Sequence, residues 1–224
     1  MGRRAVIAGA TGLVGGELVK LLIGAKEYDN VTVLVRRRIN LAHPRLTQLV
    51  MDYEKLGELS NELFEGADVY CALGTTMKKA GSKPSFERVD YHYPMELAKL
   101  AKRAGAERLM LVSSIGANAN SMFFYTKVKG RLERDLQALS LRSLHLFRPS
   151  LILGDRGEFR FGERMAARLS DWGSFLYAGP LGKYKPVRAE TIAQAMVSAA
   201  LVKRTFPTII SSQEMEPMAA LLRK

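Results

Sequence analysis

The chain has 224 residues, 47% of them apolar, which is enough for one domain with a sizeable core. Its 34 Lys and Arg against 22 Asp and Glu leave a formal net charge of +12, so an anionic partner is expected: nucleic acid, an anionic membrane surface or a phosphorylated small molecule. A single cysteine, Cys71, excludes an internal disulfide and a cysteine-based zinc site, and His43, His92 and His145 lack the spacing of paired ligands, so no metal is expected.

The N-terminal apolar run is too short for a signal-peptide core, and no stretch approaches the ~20 apolar residues of a membrane span. These features lead to the expectation of a soluble, cytoplasmic protein with no membrane partner. Arg4 to Ala8 reads as a short strand, followed by a helix over Leu13 to Ala25 with Val14, Leu18, Leu21, Leu22 and Ala25 at helical spacing. Val31 to Val35 is apolar and β-branched almost throughout, as in a strand buried on both faces of a parallel sheet. Leu46 to Met51 and Ala67 to Cys71 are two further strands. Ser85 to Ala104 predicts one long helix, with Phe86, Val89, Tyr93, Leu97, Leu100 and Ala104 on one stripe and Gly105 as its stop. A strand at Leu109 to Val112, a helix from about Ser121 to Leu139 and a strand at Leu144 to Phe147 continue the alternation. Beyond a loop at 154–157 the pattern predicts helices at Phe161 to Leu169 and Ala189 to Leu201, a strand at Thr208 to Ser211 and a terminal helix after Gln213. The order implies an α/β class: a doubly wound parallel sheet of Rossmann type over residues 1–224, with residues 154–224 as a small cap on the substrate side.

The strongest local signal is Gly9-Ala10-Thr11-Gly12-Leu13-Val14-Gly15, between the first strand and first helix. Glycines at such a junction permit a tight turn and close approach of a pyrophosphate to backbone amides, and the helix N-terminus attracts its charge. Gly9, Thr11, Gly12, Leu13, Val14 and Gly15 are therefore candidate dinucleotide contacts; the alternative is a glycine-rich turn with no ligand. The second strand ends in Arg36-Arg37-Arg38, where an acidic residue would favour NAD and arginine a 2′-phosphate. Arg36 and Arg37 are taken as cofactor contacts and NADP(H) as the cofactor, although at least one of the three arginines is expected to be only solvated. Asp52 is a candidate at the adenine amino group, with a plain loop carboxylate as the equal alternative. Leu73, Gly74 and Thr75 follow the fourth strand and are expected against the cofactor, whereas Cys71 just before them reads as core.

Ser113-Ser114 ends the fifth strand, and Tyr125 and Lys129 follow at i, i+4 on one helix face. A phenol with a reference pKa of ~10 is a poor base at neutral pH, but a neighbouring ammonium and an oxidised nicotinamide favour its anion. Tyr125 is the candidate proton donor and acceptor, Ser114, with Ser113 as the second choice, the hydrogen-bond donor to the substrate oxygen, and Lys129 the cation that also binds the nicotinamide ribose. The alternative is a helix whose exposed face carries both residues by chance.

Together these residues resemble the short-chain dehydrogenase/reductase superfamily, and the Gly-x-x-Gly-x-x-Gly loop resembles its extended and atypical branches. The likeness is greatest to the small branch containing the Tat-interacting oxidoreductase-like protein. It is carried by the glycine loop, Cys71-Ala72-Leu73-Gly74-Thr75-Thr76, Lys79-Ala80-Gly81, Val89-Asp90, Leu111-Val112-Ser113-Ser114, Tyr125-x-x-x-Lys129-Gly130 and Phe147-Arg148-Pro149. The resemblance implies a Rossmann fold, NADP(H), Ser114, Tyr125 and Lys129 as the catalytic group, and Pro149, Ser150 and Leu151 beside the nicotinamide. One position departs from the pattern: Asp90 stands where many members carry an asparagine that relays protons through water to the lysine. A carboxylate there bears on the charge state of the lysine, and Asp90 is left outside the catalytic group. Tyr91, His92 and Tyr93 read as packing and helix-surface residues.

The function expected is hydride transfer between NADP(H) and a small carbonyl or alcohol substrate, by a monomer or homodimer. The residues around Arg156 to Phe161 and Tyr184 to Arg188 are expected on the substrate side. A redox sensor or protein-interaction module that binds NADP(H) with little turnover is the alternative. A sugar-nucleotide epimerase is disfavoured by the short stretch after the sixth strand. Nucleic acid is not expected as a partner, because the basic residues are scattered and lack interleaved aromatics.

Overall fold

The computed structural model describes residues 2–154, 184–202 and 208–222. The elements begin with β1 (Arg3–Ala8), α1 (Leu13–Gly24), β2 (Tyr28–Val35) and β3 (Leu46–Val50). After two short 3₁₀ turns come β4 (Asp68–Cys71), α2 (Met77–Ala80), α3 (Lys83–Glu87), a π turn at Arg88–His92 and α4 (Tyr93–Arg103). Then follow β5 (Arg108–Val112), α5 (Phe124–Ala138), β6 (Leu144–Arg148), β7 (Ile152–Leu153), β8 (Val187–Arg188), α6 (Ala189–Leu201), β9 (Ile209–Ser211) and α7 (Ser212–Leu221). Seven strands form one parallel sheet in the order β3-β2-β1-β4-β5-β6-β9, which is the doubly wound arrangement expected from the alternation of strands and helices.

Both faces of the sheet are covered, which is why the central strands are apolar on both sides. Ala5 and Ile7 of β1 face a core shared with Val14, Leu18 and Leu22 of α1 and with Ile192 and Met196 of α6. Val6 and Ala8, on the alternate positions, face a second core with Leu97 and Leu100 of α4 and Leu132 and Leu136 of α5. The expected cap segment is only partly described. Its 187–188 pair extends β7, α6 packs on α1, and β9 adds the seventh strand beside β6. The helix expected at Phe161 to Leu169 and the residues Arg156 to Phe161 lie outside the described residues.

The long helix expected over Ser85 to Ala104 is instead α3, the π turn and α4 in succession. Pro94 explains the interruption. It has no N–H to give to the carbonyl four residues back and its ring crowds that carbonyl, so the turn before it widens. The widened turn delivers Asp90 into the interior, where it is 1% exposed. At the N-terminal edge of the sheet, the buried Asp68 carboxylate accepts hydrogen bonds from Tyr28 at 2.7 Å, Arg108 at 2.8 Å and Arg3 at 3.2 Å, closing the end opposite the site.

Candidate functional site

Parallel sheets of this order leave a crevice at the carboxyl ends of the strands where the chain reverses direction, here between β1 and β4. Two adjoining cavities occupy it. The first, about 520 Å³, runs from the glycine loop past Arg36 to Tyr53 and Tyr93. The second, about 470 Å³, lies over Val112, Ser114, Tyr125 and Lys129. Leu13, Ala72, Leu73, Gly74 and Thr75 line both and form the shared wall.

The glycine loop is shaped to admit a ligand close to the backbone. Gly9 has φ of +91°, and a Cβ there would stand 2.5 Å from the Ala72 carbonyl, so only glycine fits. Gly15 does not line either cavity. A Cβ on it would come within 2.0 Å of the Gly9 oxygen, so its part is to let α1 rest against the loop. The first turn of α1 carries neither a side-chain cap nor an acidic residue, leaving its amides open to an anion. Gly9, Thr11, Gly12 and Leu13 line the first cavity and Val14 the second. This cradle fits the diphosphate of a dinucleotide.

Three further expected positions stand outside both cavities. Arg36 lines the first cavity, but Arg37, one residue on, is exposed and outside both. Asp52 also stands outside both, because its carboxylate accepts from the Glu54 amide at 3.1 Å and caps the 3₁₀ turn at Tyr53–Glu58. The aromatic wall comes instead from Tyr53, whose hydroxyl donates to the Leu34 carbonyl at 2.7 Å, and Tyr93, with ring centroids 5.4 Å apart. Pro149 lines neither cavity; its carbonyl accepts from the Ile115 amide at 2.9 Å while Ser150, Leu151 and Ile152 form the wall. Lys79, quoted above only as part of a motif, lines the first cavity. No motif of local spacing would have found Tyr53 and Tyr93, since they lie forty residues apart in sequence and meet only through packing of the turn on α4.

In the second cavity, Ser114, Tyr125 and Lys129 share one wall. Phe86 of α3, fully buried, sets its ring 5.7 Å from that of Tyr125 and 5.6 Å from that of Phe124, holding the start of α5. Gly130 lets α5 meet the loop after β5, where a Cβ would stand 2.1 Å from the Asn118 carbonyl carbon. Ser113 and Ser114 part ways. Both line the second cavity, but the Ser113 hydroxyl donates to the buried Glu133, which also binds the Arg148 guanidinium, whereas the Ser114 hydroxyl donates to the Ile115 carbonyl at 3.2 Å.

Lys129 is buried, and its ammonium stands 2.8 Å from the Asp90 carboxylate. Burial by itself would lower the lysine's pKa, but the attraction of Asp90 outweighs it and holds Lys129 above the usual lysine range. The other Asp90 oxygen accepts from the Thr75 amide at 2.8 Å. Cys71, at the end of β4, is core as expected, and burial pushes its thiol up to about 11. Of the expected substrate side, Val187 is buried in the β7 pairing and Tyr184 is half exposed. Among the described residues no group of His, Cys, Asp and Glu is placed to hold a metal, and no helix is long and apolar enough to cross a membrane.

A family model described as NAD(P)H-binding matches residues 9–164. Protein HTATIP2 of Rattus norvegicus is 38% identical over 196 residues, spanning 86% of this chain and 78% of that protein. Protein FMP52, mitochondrial, of Candida albicans is 35% identical over 201 residues, spanning 87% and 86%. Among solved structures, the Bordetella bronchiseptica enzyme WbmH in complex with NAD+ superposes with a TM-score of 0.69 at 16% identity, covering 97% of this chain and 79% of that one. MoeE5 in complex with UDP-glucose and NAD gives 0.66 at 17%, covering 98% and 81%; at such identities the likeness is one of fold. The expectation of a cytoplasmic protein is overturned by the fungal relatives, since those of Candida albicans, Debaryomyces hansenii and Meyerozyma guilliermondii are all named mitochondrial.

Proposed function

The chain belongs to the NAD(P)H-binding short-chain dehydrogenase/reductase superfamily, in the branch of HTATIP2, and from that premise we propose that it is an NADP(H)-dependent oxidoreductase acting on a small carbonyl or alcohol. The observation that carries this reading is the shared wall. The cavity over Ser114, Tyr125 and Lys129 adjoins, along Leu73, Gly74 and Thr75, the cavity framed by the glycine loop.

NADP(H), when bound, supplies or takes up the hydride. The chain's own residues do the rest. The loop from Gly9 to Leu13 and the open first turn of α1 receive the diphosphate, and Arg36, with no carboxylate beside it at the end of β2, favours a 2′-phosphate. Ser114 donates a hydrogen bond to the substrate oxygen, and the Tyr125 hydroxyl gives that oxygen a proton in reduction or receives one in oxidation. The Lys129 ammonium lies on the same helix face and keeps positive charge beside the phenol. Val112, Ile115, Leu151 and Ile152 give the reacting end an apolar wall. A cavity of about 470 Å³ suits a small-molecule substrate.

The test is steady-state oxidation of NADPH and of NADH across a panel of aldehydes, ketones and quinones. Turnover with NADPH that exceeds turnover with NADH supports the reading. Tight NADPH binding with no turnover on any member of the panel overturns it in favour of a sensor or interaction module.

A further inference from the structure

We propose that Asp90 is a positioning residue whose single carboxylate ties the Lys129 ammonium to the Thr75 amide, so that the lysine and the loop shared by both cavities are held as one unit. The two contacts are each 2.8 Å, to different oxygens of the same side chain. Asp90 is 1% exposed, at the edge of the second cavity beside Lys129. Only a carboxylate of this length accepts from both partners. An asparagine would accept one hydrogen bond through its oxygen and turn an N–H toward the other donor, whichever way it flips. This gives the departure from the asparagine pattern a physical content: Asp90 replaces a water-mediated link to the lysine with a direct ion pair.

The surroundings leave the task to Asp90. On α5, Tyr125 stands one turn before Lys129, and Glu133, one turn after, is taken up by Ser113 and Arg148. β4 contributes Cys71, whose thiol stays protonated far above neutrality. β5 contributes Ser113 and Ser114, and on α4 Glu96 and Lys99 pair with each other at 2.7 Å on the exposed side. Without the Asp90 charge, the largest attraction that opposes burial is lost, and a buried ammonium loses its proton at lower pH. The π turn caused by Pro94 is what brings Asp90 to this place, 39 positions before its partner.

The inference rests on the oxidoreductase reading only in giving the ammonium its task, and its test does not need turnover. In full-length protein carrying labelled lysine, the Lys129 side-chain resonance is followed against pH by NMR, with Lys129→Met supplying the assignment. In the wild type it should remain that of an ammonium through pH 10, and in Asp90→Asn its midpoint should fall by roughly 2 pH units or more. Equal midpoints in the two proteins would overturn the proposal. Where turnover is present, Asp90→Asn should lose kcat on the alkaline side at correspondingly lower pH. If Asp90→Asn fails to fold, adding Lys129→Met should restore the fold, because the fault is an unpaired buried charge; a double variant that also fails overturns the proposal. A normal lysine shift in a protein with no turnover leaves this pairing standing and removes the oxidoreductase reading alone.

Discussion

Gly130→Ala tests whether the reacting group is set by the meeting of α5 with the loop after β5. The new Cβ would lie 2.1 Å from the Asn118 carbonyl carbon and 2.2 Å from the Ala119 nitrogen, against an ordinary contact of 3.4 Å or more, so backbone must move by about 1.3 Å. The loop cannot yield without consequence, since the Asn118 amide is bonded to the Thr126 carbonyl at 3.0 Å and the Ser121 hydroxyl to that of Thr126 at 2.6 Å. If the loop moves, Ser114 shifts against Tyr125; if the helix moves, Tyr125 and Lys129 shift against Ser114. Overpacking of this kind costs ~1–3 kcal/mol of stability. A displacement of ~1 Å among reacting groups costs ~100-fold in rate. We expect kcat for NADPH-dependent reduction to fall ~100-fold, with NADPH affinity changed far less, because the glycine loop joins β1 to α1 and Arg36 follows β2, apart from α5. Stopped-flow turnover, cofactor titration and denaturant unfolding on one preparation measure all three. A variant with wild-type kcat and lowered stability would refute the argument that this contact aligns the site.

The Arg36→Glu variant should weaken NADPH by at least ~10-fold in Kd, worth ~1.4 kcal/mol, and NADH much less; equal losses would remove the 2′-phosphate assignment, and the exposed Arg37 should matter less in the same titration. Tyr125→Phe should bind NADPH with near wild-type affinity and lose ~10²–10⁴-fold in kcat; unimpaired turnover would end its proton-transfer role. Cys71, with its thiol raised by burial from 9.0 to about 11, should resist thiol reagents at pH 8 for as long as the protein stays folded. The same shift has a sign for stability. Its contribution is whole below pH 9, where neither state ionises, and is lost as pH climbs toward about 11, where the unfolded thiol releases its proton first. The buried phenols of Tyr28 and Tyr70, raised chiefly by burial, act in the same direction, so denaturant midpoints should fall steeply above pH 9.

Much of the fold was legible because it depends on local period. β1, α1 and the apolar β2 follow directly from two-residue and 3.6-residue patterns, and the glycine loop sits where those patterns change. Ser114, Tyr125 and Lys129 were legible because a strand end and an i, i+4 helix face are local features. What escaped was set by contacts between distant segments. The Asp52 carboxylate found a nearby amide to cap, which took it from the cavity, and the next residue, Tyr53, was fixed by its bond to Leu34 across 19 positions. The tie of Ser113 to Glu133, 20 positions away, which also holds Arg148, was likewise beyond the reach of local spacing. The one proline in an otherwise regular helical stripe was the local sign of the π turn, and the stripe outvoted it.

Charge is not spread evenly over the site, and that unevenness can be measured. At the reacting end, Lys129 is matched by Asp90 and Arg148 by Glu133, so the described side chains there carry paired charges. At the other end, Arg36 and Lys79 line the first cavity with no Asp or Glu among the residues of its wall. A dinucleotide phosphate should therefore be drawn in by the positive charge of this wall, while a neutral carbonyl substrate is selected by shape and hydrogen bonds. Raising ionic strength from 0.1 M to 1 M shortens the Debye length from ~10 Å to ~3 Å and weakens exposed attractions selectively. We expect KM for NADPH to rise several-fold over that range, KM for NADH to rise less, and KM for a neutral aldehyde or ketone to stay nearly constant. Salt dependence that falls equally on the carbonyl and on NADPH would show that charge guides both ends, and the division drawn here between a basic nucleotide end and an electrically balanced reacting end would have to be abandoned.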